Sequence, residues 1–433
     1  KIVLEKGLLV RLPIRCDLQS FSVGHMNRKI TVLFAACVFC LSLQAQQYVP
    51  NGYYRMQNVV SGRYIKIIDD KAEQLDMHSL KADVGALCTM KSDETSVSDP
   101  SMIMYLKYVE STVKANQVVD QTFNIYAQGV DIVSILRSFG SATDGYKGIR
   151  IKKVNGKYRA FQDASVGGTS GRAFLWDKSP ALFYLSTIEA SALSDKDPDF
   201  SKIDWNIIAV DSNDDSNYFG ITPNVTVGGK HYYPLFMPFP FSFHSNGMKA
   251  YIVSRVDVEN GICVLEEQSG IVPAMTPAII ECSSTNSSGN RIKLESLNSG
   301  NAVTDNKLSG SMFNTPDDLG IDPGTYHYRK TLYDSGSMRV LGVTSEGKLG
   351  FVAAPAGFES IPANTSYLQA ESLPAQLTLM TAEEYELFLD VDSSKADTKK
   401  VAWTLDGTSI EVNSLDELPR GLYIVEGHKY VVQ

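Results

Sequence analysis

The chain predicts a mainly β protein: a pseudo-threefold β domain, then a β-sandwich-like domain, then a small C-terminal β hairpin module. Composition is the first reason, since 21 Tyr and 18 Phe against 3 Trp favour pleated, half-buried strands. The second is a recurrence of hairpin patterning between Tyr48 and Val210. Tyr54–Ile65 and Ile149–Ala160, 95 residues apart, both alternate apolar and polar residues, turn at Ser-Gly or Asn-Gly, and restart with a basic residue and Tyr. The third is a proline-bearing motif, Val272-Pro273-Ala274-Met275-Thr276-Pro277, repeated 89 residues later as Ile361-Pro362-Ala363-Asn364-Thr365-Ser366. Each copy follows two strands and re-enters the core with an apolar run, which implies two related sheet units in one body.

Ahead of these domains, residues 26–45 read as a secretory signal. Asn27-Arg28-Lys29 is the basic region, Ile30–Leu43 the apolar one, and Leu43-Gln44-Ala45 ends in a small residue, so cleavage is expected between Ala45 and Gln46. Fourteen apolar-region residues are too few to span a bilayer. On this reading translation begins at Met26 and residues 1–25 are an upstream mis-called start. Phe34-Ala35-Ala36-Cys37 offers lipid attachment at Cys37 as an alternative, but Leu is absent three residues before the cysteine, so cleavage after Ala45 is preferred. The whole chain carries a net charge of −9; residues 46–433 hold 34 basic against 47 acidic side chains, or −13. That balance argues against nucleic acid and anionic lipid as partners, both of which need clustered positive charge.

The first domain is expected over residues 48–210. Met104–Lys107 and Asn124–Ala127 supply a degraded middle copy of the hairpin repeat, giving the threefold pattern. Helical insertions interrupt it: Ile132, Ile135, Leu136 and Phe139 fall at helical spacing behind Asp131, and a second helix is expected within Leu75–Met90. Gly52–Tyr64 (Gly-Tyr-Tyr-Arg-Met-Gln-Asn-Val-Val-Ser-Gly-Arg-Tyr) resembles the opening lobe of ricin-like β-trefoils, which implies a β-trefoil-like fold. The Gln-x-Trp signature of sugar-binding lobes is absent, with Phe174-Leu175-Trp176 its nearest echo. A linker is expected within Ala190–Asp215. Its run Asp211-Ser212-Asn213-Asp214-Asp215 lacks the glycine and glutamate of a calcium loop and reads as a solvated turn.

The second domain is expected over residues 218–390. Tyr233–Phe239, Lys249-Ala250-Tyr251 and the two proline motifs resemble a β module that recurs in surface and secreted proteins of Bacteroidetes. The module at residues 398–433 contains an Asp406-Gly407 turn and a hairpin about Glu426-Gly427. Its run Leu418-Pro419-Arg420-Gly421-Leu422-Tyr423-Ile424-Val425 resembles the end of the C-terminal sorting domain of type IX secretion cargo.

Reactive motifs are sparse. Cys88, Cys263 and Cys282 are the cysteines that follow the signal; an odd count excludes a disulfide framework, while Cys263 and Cys282 fall on neighbouring candidate strands and are a possible disulfide. His78, His231, His244, His327 and His428 form no metal-ligand spacing, so neither a metal nor a cofactor is expected. Gly167–Gly171 is glycine-rich but lacks the following Lys-Ser/Thr of a phosphate loop. Tyr158, Phe161 and Trp176 are the candidate binding residues, because flat rings suit the apolar faces of pyranoses. The expected function is therefore a non-enzymatic secreted or surface-exposed binding or adhesion protein that recognises a glycan or a cell-surface protein. Alternatives are a polysaccharide-processing enzyme with carboxylates in an interdomain cleft near residues 200–230, and a structural subunit of a surface assembly.

Overall fold

Six antiparallel strands in the first half of the chain hydrogen-bond into a ring. In the computed structural model, which describes residues 49–67, 87–91, 96–115, 117–128, 130–131, 148–166, 169–177, 183–188, 200–313, 330–396, 400–412, 414–425 and 427–432, the ring runs Gly52–Asn58, Met104–Lys114, Gln117–Ala127, Ile149–Val154, Lys157–Val166, Trp205–Ala209 and back to Gly52–Asn58. Register explains its core. Leu106 faces Ile125, Phe123 faces Ile149, Ile151 faces Ala160, and Asn58 faces Trp205. Cross-strand partners share a face, and all eight of these residues are at most 2 % exposed, so that face is the ring interior.

The six strands come as three sequential pairs, and the chain makes an excursion between the members of each. The first excursion is the hairpin Arg63–Ile67 with Leu87–Lys91; the second begins with Val130–Asp131; the third is Thr169–Asp177 with Phe183–Ile188. Leu87–Lys91, at the end of the Leu75–Met90 window within which a second helix was expected, is a strand paired with Arg63–Ile67, and residues 75–86 of that window lie outside the described residues. The helix expected at Ile132–Phe139 lies outside the described residues. The two sequence repeats are both hairpins, but in different places: Tyr54 opens the first pair of ring strands, whereas Ile149 belongs to the closing strand of the second. Trp205–Ala209, near the end of the first domain expected over residues 48–210, is the strand that closes the ring.

The second half is built on a ten-stranded curled sheet. Its order is Val225–Val227, Lys230–Leu235, Ala278–Cys282, Lys249–Asp257, Ile262–Gln268, Gln376–Thr381, Leu349–Val352, Met338–Val343, Thr365–Gln369 and Leu308–Ser311. The arrangement is similar on the two sides of Gln376–Thr381. Each side has a hairpin, the strand that returns along it, and a further strand beyond, with Val225–Val227 an extra outermost strand on one side. Each returning strand is entered through one of the two proline motifs. Their fourth residues, Met275 and Asn364, both take left-handed backbone conformations, with φ of 60° and 57°. Both also dock on the same dipeptide: Met275 N–H donates to the Met237 carbonyl at 2.8 Å, and Phe236 N–H donates to the Asn364 carbonyl at 2.9 Å. Gly310 faces the Phe236 ring so closely that a Cβ there would lie 2.3 Å from it, which excludes every side chain.

Strand alternation gives this sheet two cores. Ile279, Cys263, Val253, Phe351, Leu368 and Leu377 fill the inside of the curl. Ala278, Ile280 and Cys282 point the other way, against Phe239, Phe241, Phe219 and Ile292. A three-stranded sheet of Phe219–Gly220, Arg291–Leu294 and Phe241–Phe243 covers that outer core, and Tyr53 and Ile103 of the ring half join it. The possible Cys263–Cys282 disulfide is thereby corrected. Lys249–Asp257 lies between their strands, the two side chains belong to opposite faces, and both thiols are free and buried.

An α-helix, Ala382–Ala396, stands where the expected second domain runs to its end. Thr381 caps it: its Oγ1 accepts from Glu384 N–H at 3.2 Å, and Glu384 Oε2 accepts from Thr381 N–H at 2.8 Å. The helix lays Tyr385, Phe388 and Leu389 on Ile262, Val264 and Met380. The C-terminal module is a four-stranded antiparallel sheet ordered Ser409–Val412, Lys400–Thr404, Gly421–Val425, His428–Val432, with its own core of Ala402, Val412, Leu418, Tyr423 and Val425.

The two halves of residues 50–433 are tied by buried polar groups. Gln128 Nε2 donates to Asn364 Oδ1 at 2.7 Å and Asn364 Nδ2 returns a bond to Gln128 Oε1 at 3.0 Å, while the same Nδ2 reaches the Phe236 carbonyl at 3.2 Å. Asn364→Ala orphans these groups and places a Cβ-only residue at positive φ, so a loss of about 2–4 kcal/mol is expected in urea unfolding. Asn364→Gly, free of the backbone penalty, is expected to recover about 1 kcal/mol of that loss. Thr381→Ala removes the cap and is expected to cost about 1 kcal/mol by the same measurement.

Candidate functional site

The end of the ring interior is formed by the hairpin Ile149–Val154 with Lys157–Val166. Its turn, Asn155-Gly156, has φ of 50° and 79°, the paired positive values that a two-residue hairpin of matching twist requires. Lys153 lies opposite Tyr158 across the hairpin, and Tyr158 in turn lies opposite Trp205 of the closing strand. These three therefore share the interior face and form its last row, one step beyond Ile151 and Ala160. Trp205 is fully buried and donates its indole N–H to the Leu175 carbonyl at 3.0 Å. Tyr158 is half-buried above it, and the exposed Lys153 ammonium sits 5.7 Å from the Tyr158 ring centroid.

The outer face of the same hairpin is strongly basic. Arg150 bonds Asp120 at 2.7 Å with its guanidinium 5.0 Å from the Phe161 ring, and Arg159 bonds Asp204 at 2.6 Å. Lys157 Nζ donates to Asn206 Oδ1 at 3.0 Å. Lys152 is exposed beside them.

Of the three aromatics expected to act together, Tyr158 and Phe161 lie on opposite faces of one strand. Tyr158 is at the ring's end. Phe161 is three residues on, hence on the other face of its strand, and at 1 % exposure it is core and offers no stacking surface. Trp176 pairs with Tyr184 on the third excursion, two positions past the Phe161–Phe174 partnership that joins the two hairpin strands. Gly167 and Gly168 lie outside the described residues, as do the signal segment with Ala45, Gln46 and Cys37. His231 bonds Thr226 Oγ1 at 3.0 Å at an exposed turn, and His244 follows a strand of a different sheet. Among the described residues no three His, Cys, Asp or Glu side chains converge as metal ligands.

Of the carboxylates within residues 200–230, Asp204 pairs with Arg159, and Asp211, Asp214 and Asp215 hold a turn. Asp211 Oδ1 accepts from Asn213 N–H and Nδ2, each at 2.9 Å; Asp214 Oδ1 accepts from Ser216 N–H and Oγ, each at 2.7 Å; Asp215 pairs with Arg291 at 2.6 Å. Those bonds hold the Asp211 and Asp214 carboxyls below their ordinary range, from the backbone and side chain of Asn213 for the first and the side chain and backbone of Ser216 for the second. A glycosidase acid needs the opposite shift. The turn serves instead to present Asn217, whose Oδ1 accepts from Arg55 Nη1 at 2.6 Å and whose Nδ2 donates to the Ala209 carbonyl. Arg55, at 2 % exposure, also donates to the Tyr218 carbonyl at 3.0 Å and the Ser96 carbonyl at 3.2 Å. Desolvation pulls its pKa down to about 10. Nothing in the local sequence marks Arg55 as buried; the basic hairpin, by contrast, is visible to a charge count over residues 149–159.

No protein-family model, curated protein or solved structure matches this chain.

Because the Asp214 carboxyl is held below its ordinary value of 3.8, its turn bonds contribute stability above that pH, lost as pH falls through the lowered value. Asp214→Asn is therefore expected to be less stable than the parent at pH 6 and indistinguishable from it near pH 2, read from urea midpoints across that range.

Proposed function

We propose that this chain is an exported, non-enzymatic envelope protein that binds a glycan at the end of its N-terminal ring, and that the ring is a β-trefoil. The observation that carries the binding reading is the row Lys153, Tyr158, Trp205: a half-buried ring opposite a buried indole at the end of the ring interior, with an ammonium over it. Three pairs of barrel strands, each interrupted by an excursion, support the trefoil reading and its kinship to ricin-like domains. The signal pattern at Met26–Ala45 supports export, and among the described residues no helix is long and apolar enough to cross a membrane. The separately cored sheet of Lys400–Val432, with its Leu-Pro-Arg-Gly-Leu run, supports the reading of a sorting tail of the Bacteroidetes type. Turn-building carboxylates at 211–215 leave the enzymatic alternative without a general acid in the place expected for it.

Glycan-array binding of the purified protein tests this. The parent is expected to bind a defined subset of glycans and Tyr158→Ala to lose about tenfold or more, since one stacked ring contributes on the order of 1–2 kcal/mol. An array with no bound glycan, or a Tyr158→Ala profile identical to the parent, overturns the assignment.

A further inference from the structure

We infer that the saccharide taken at this hairpin is acidic, carrying carboxylate or sulfate groups; this rests on the glycan-binding reading above. Between Ile149 and Arg159 the chain places Arg150, Lys152, Lys153, Lys157 and Arg159 with no acidic residue among them. The two arginines are neutralised by Asp120 and Asp204, at 2.7 and 2.6 Å. The three lysines are not: among the described residues none of them has a carboxylate within 4.0 Å. They flank the two-residue turn Asn155-Gly156, Lys153 on the face of Tyr158 and Lys152 and Lys157 on the other, so an anion at the tip meets positive charge from both sides. This positive tip belongs to a chain whose net charge is −9.

The overall sign bears on the partner. A long polyphosphate such as duplex DNA or an anionic bilayer would meet the acidic remainder of the surface, whereas a saccharide a few rings long meets only the tip. The tip holds the parts that such a ligand requires. Tyr158 offers a face for a pyranose, Asn206 beside Lys157 offers an amide to hydroxyls, and Lys152 and Lys153 offer point charges for carboxylate or sulfate. No bond is made or broken in this recognition.

The test is titration of the purified protein with polygalacturonate, dextran sulfate, neutral xylan and duplex DNA, at about 20 and 200 mM salt, where screening separates charge from stacking. Lys152→Gln/Lys153→Gln/Lys157→Gln and Tyr158→Ala are compared with the parent, and thermal melting confirms that both variants fold. Binding of one or both acidic saccharides but not xylan, weakened tenfold or more by the lysine variant and by the higher salt, is the expected result; the two acidic polymers distinguish carboxylate from sulfate. Xylan binding that Tyr158→Ala abolishes and the lysine variant leaves unchanged overturns this inference while the parent reading stands. Duplex DNA bound as tightly as the saccharides overturns it as well, since the tip would then be a general polyanion patch. Binding to neither saccharide class ends both readings.

Discussion

Everything in the first half of this protein depends on one long-range pairing, the docking of Trp205–Ala209 between Gly52–Asn58 and Lys157–Val166. Without that strand the remaining five ring strands are an open, curved sheet in which Tyr54–Asn58 on one edge and the turn end of Lys157–Val166 on the other lack their partner. The strand brings its own anchor. Trp205 fills the end of the ring interior and satisfies its indole N–H on the Leu175 carbonyl, so a ring worth about 2–3 kcal/mol of apolar burial is placed without stranding its polar atom. Tyr158 and Lys153 then inherit a fixed floor. The candidate binding row is positioned by that closure, since Trp205 is the cross-strand partner of Tyr158.

The junction between the halves is organised differently. Tyr53 packs edge-on against Phe239 at 4.9 Å and donates its hydroxyl to the Glu295 carbonyl at 2.6 Å, which supplies apolar contact. The polar ties supply direction. Arg55 reaches Asn217 and three backbone carbonyls lie around it; Gln128 and Asn364 exchange amide bonds. The Arg55 guanidinium is held through Nη1 and Nη2 by dipoles on several elements while its buried Nε has no partner among the described residues, so these groups specify how the halves meet more than they add to net stability. The Asp211–Asp215 turn belongs to this junction, since its carboxylates shape the loop that delivers Asn217.

In the second half, Gln376–Thr381 is the axis of a duplicated unit. It joins Ile262–Gln268 in parallel and Leu349–Val352 in antiparallel, so the two halves of the sheet meet on one strand. The proline motifs make the duplication geometrically visible, since both bend at a left-handed fourth residue and both anchor to Phe236-Met237. The copies have diverged at that residue. Asn364 turns its side chain into the junction with the ring, while Met275 remains half exposed.

What is local and periodic was legible along the chain. Alternation and turn residues placed the hairpins at Asn155-Gly156 and in the C-terminal module, and the repeat at 272 and 361 announced the duplicated sheet. Thr381-x-x-Glu384 was a legible start for the helix that strand patterning overlooked. Tertiary structure alone decided the rest. Phe161 and Tyr158 look equivalent in sequence, yet one strand's alternation sends Phe161 into the core and leaves Tyr158 at the ring's end. Cys263 and Cys282 read as neighbours until Lys249–Asp257 came between them, and nothing in Trp205–Ala209 announced that it pairs with both Gly52–Asn58 and Lys157–Val166 to close the ring. The physical reason is common to all three. Which strand lies beside which, and which face is inward, depends on partners up to about 150 residues distant, and pairing over such separations leaves no periodic trace in the strand itself.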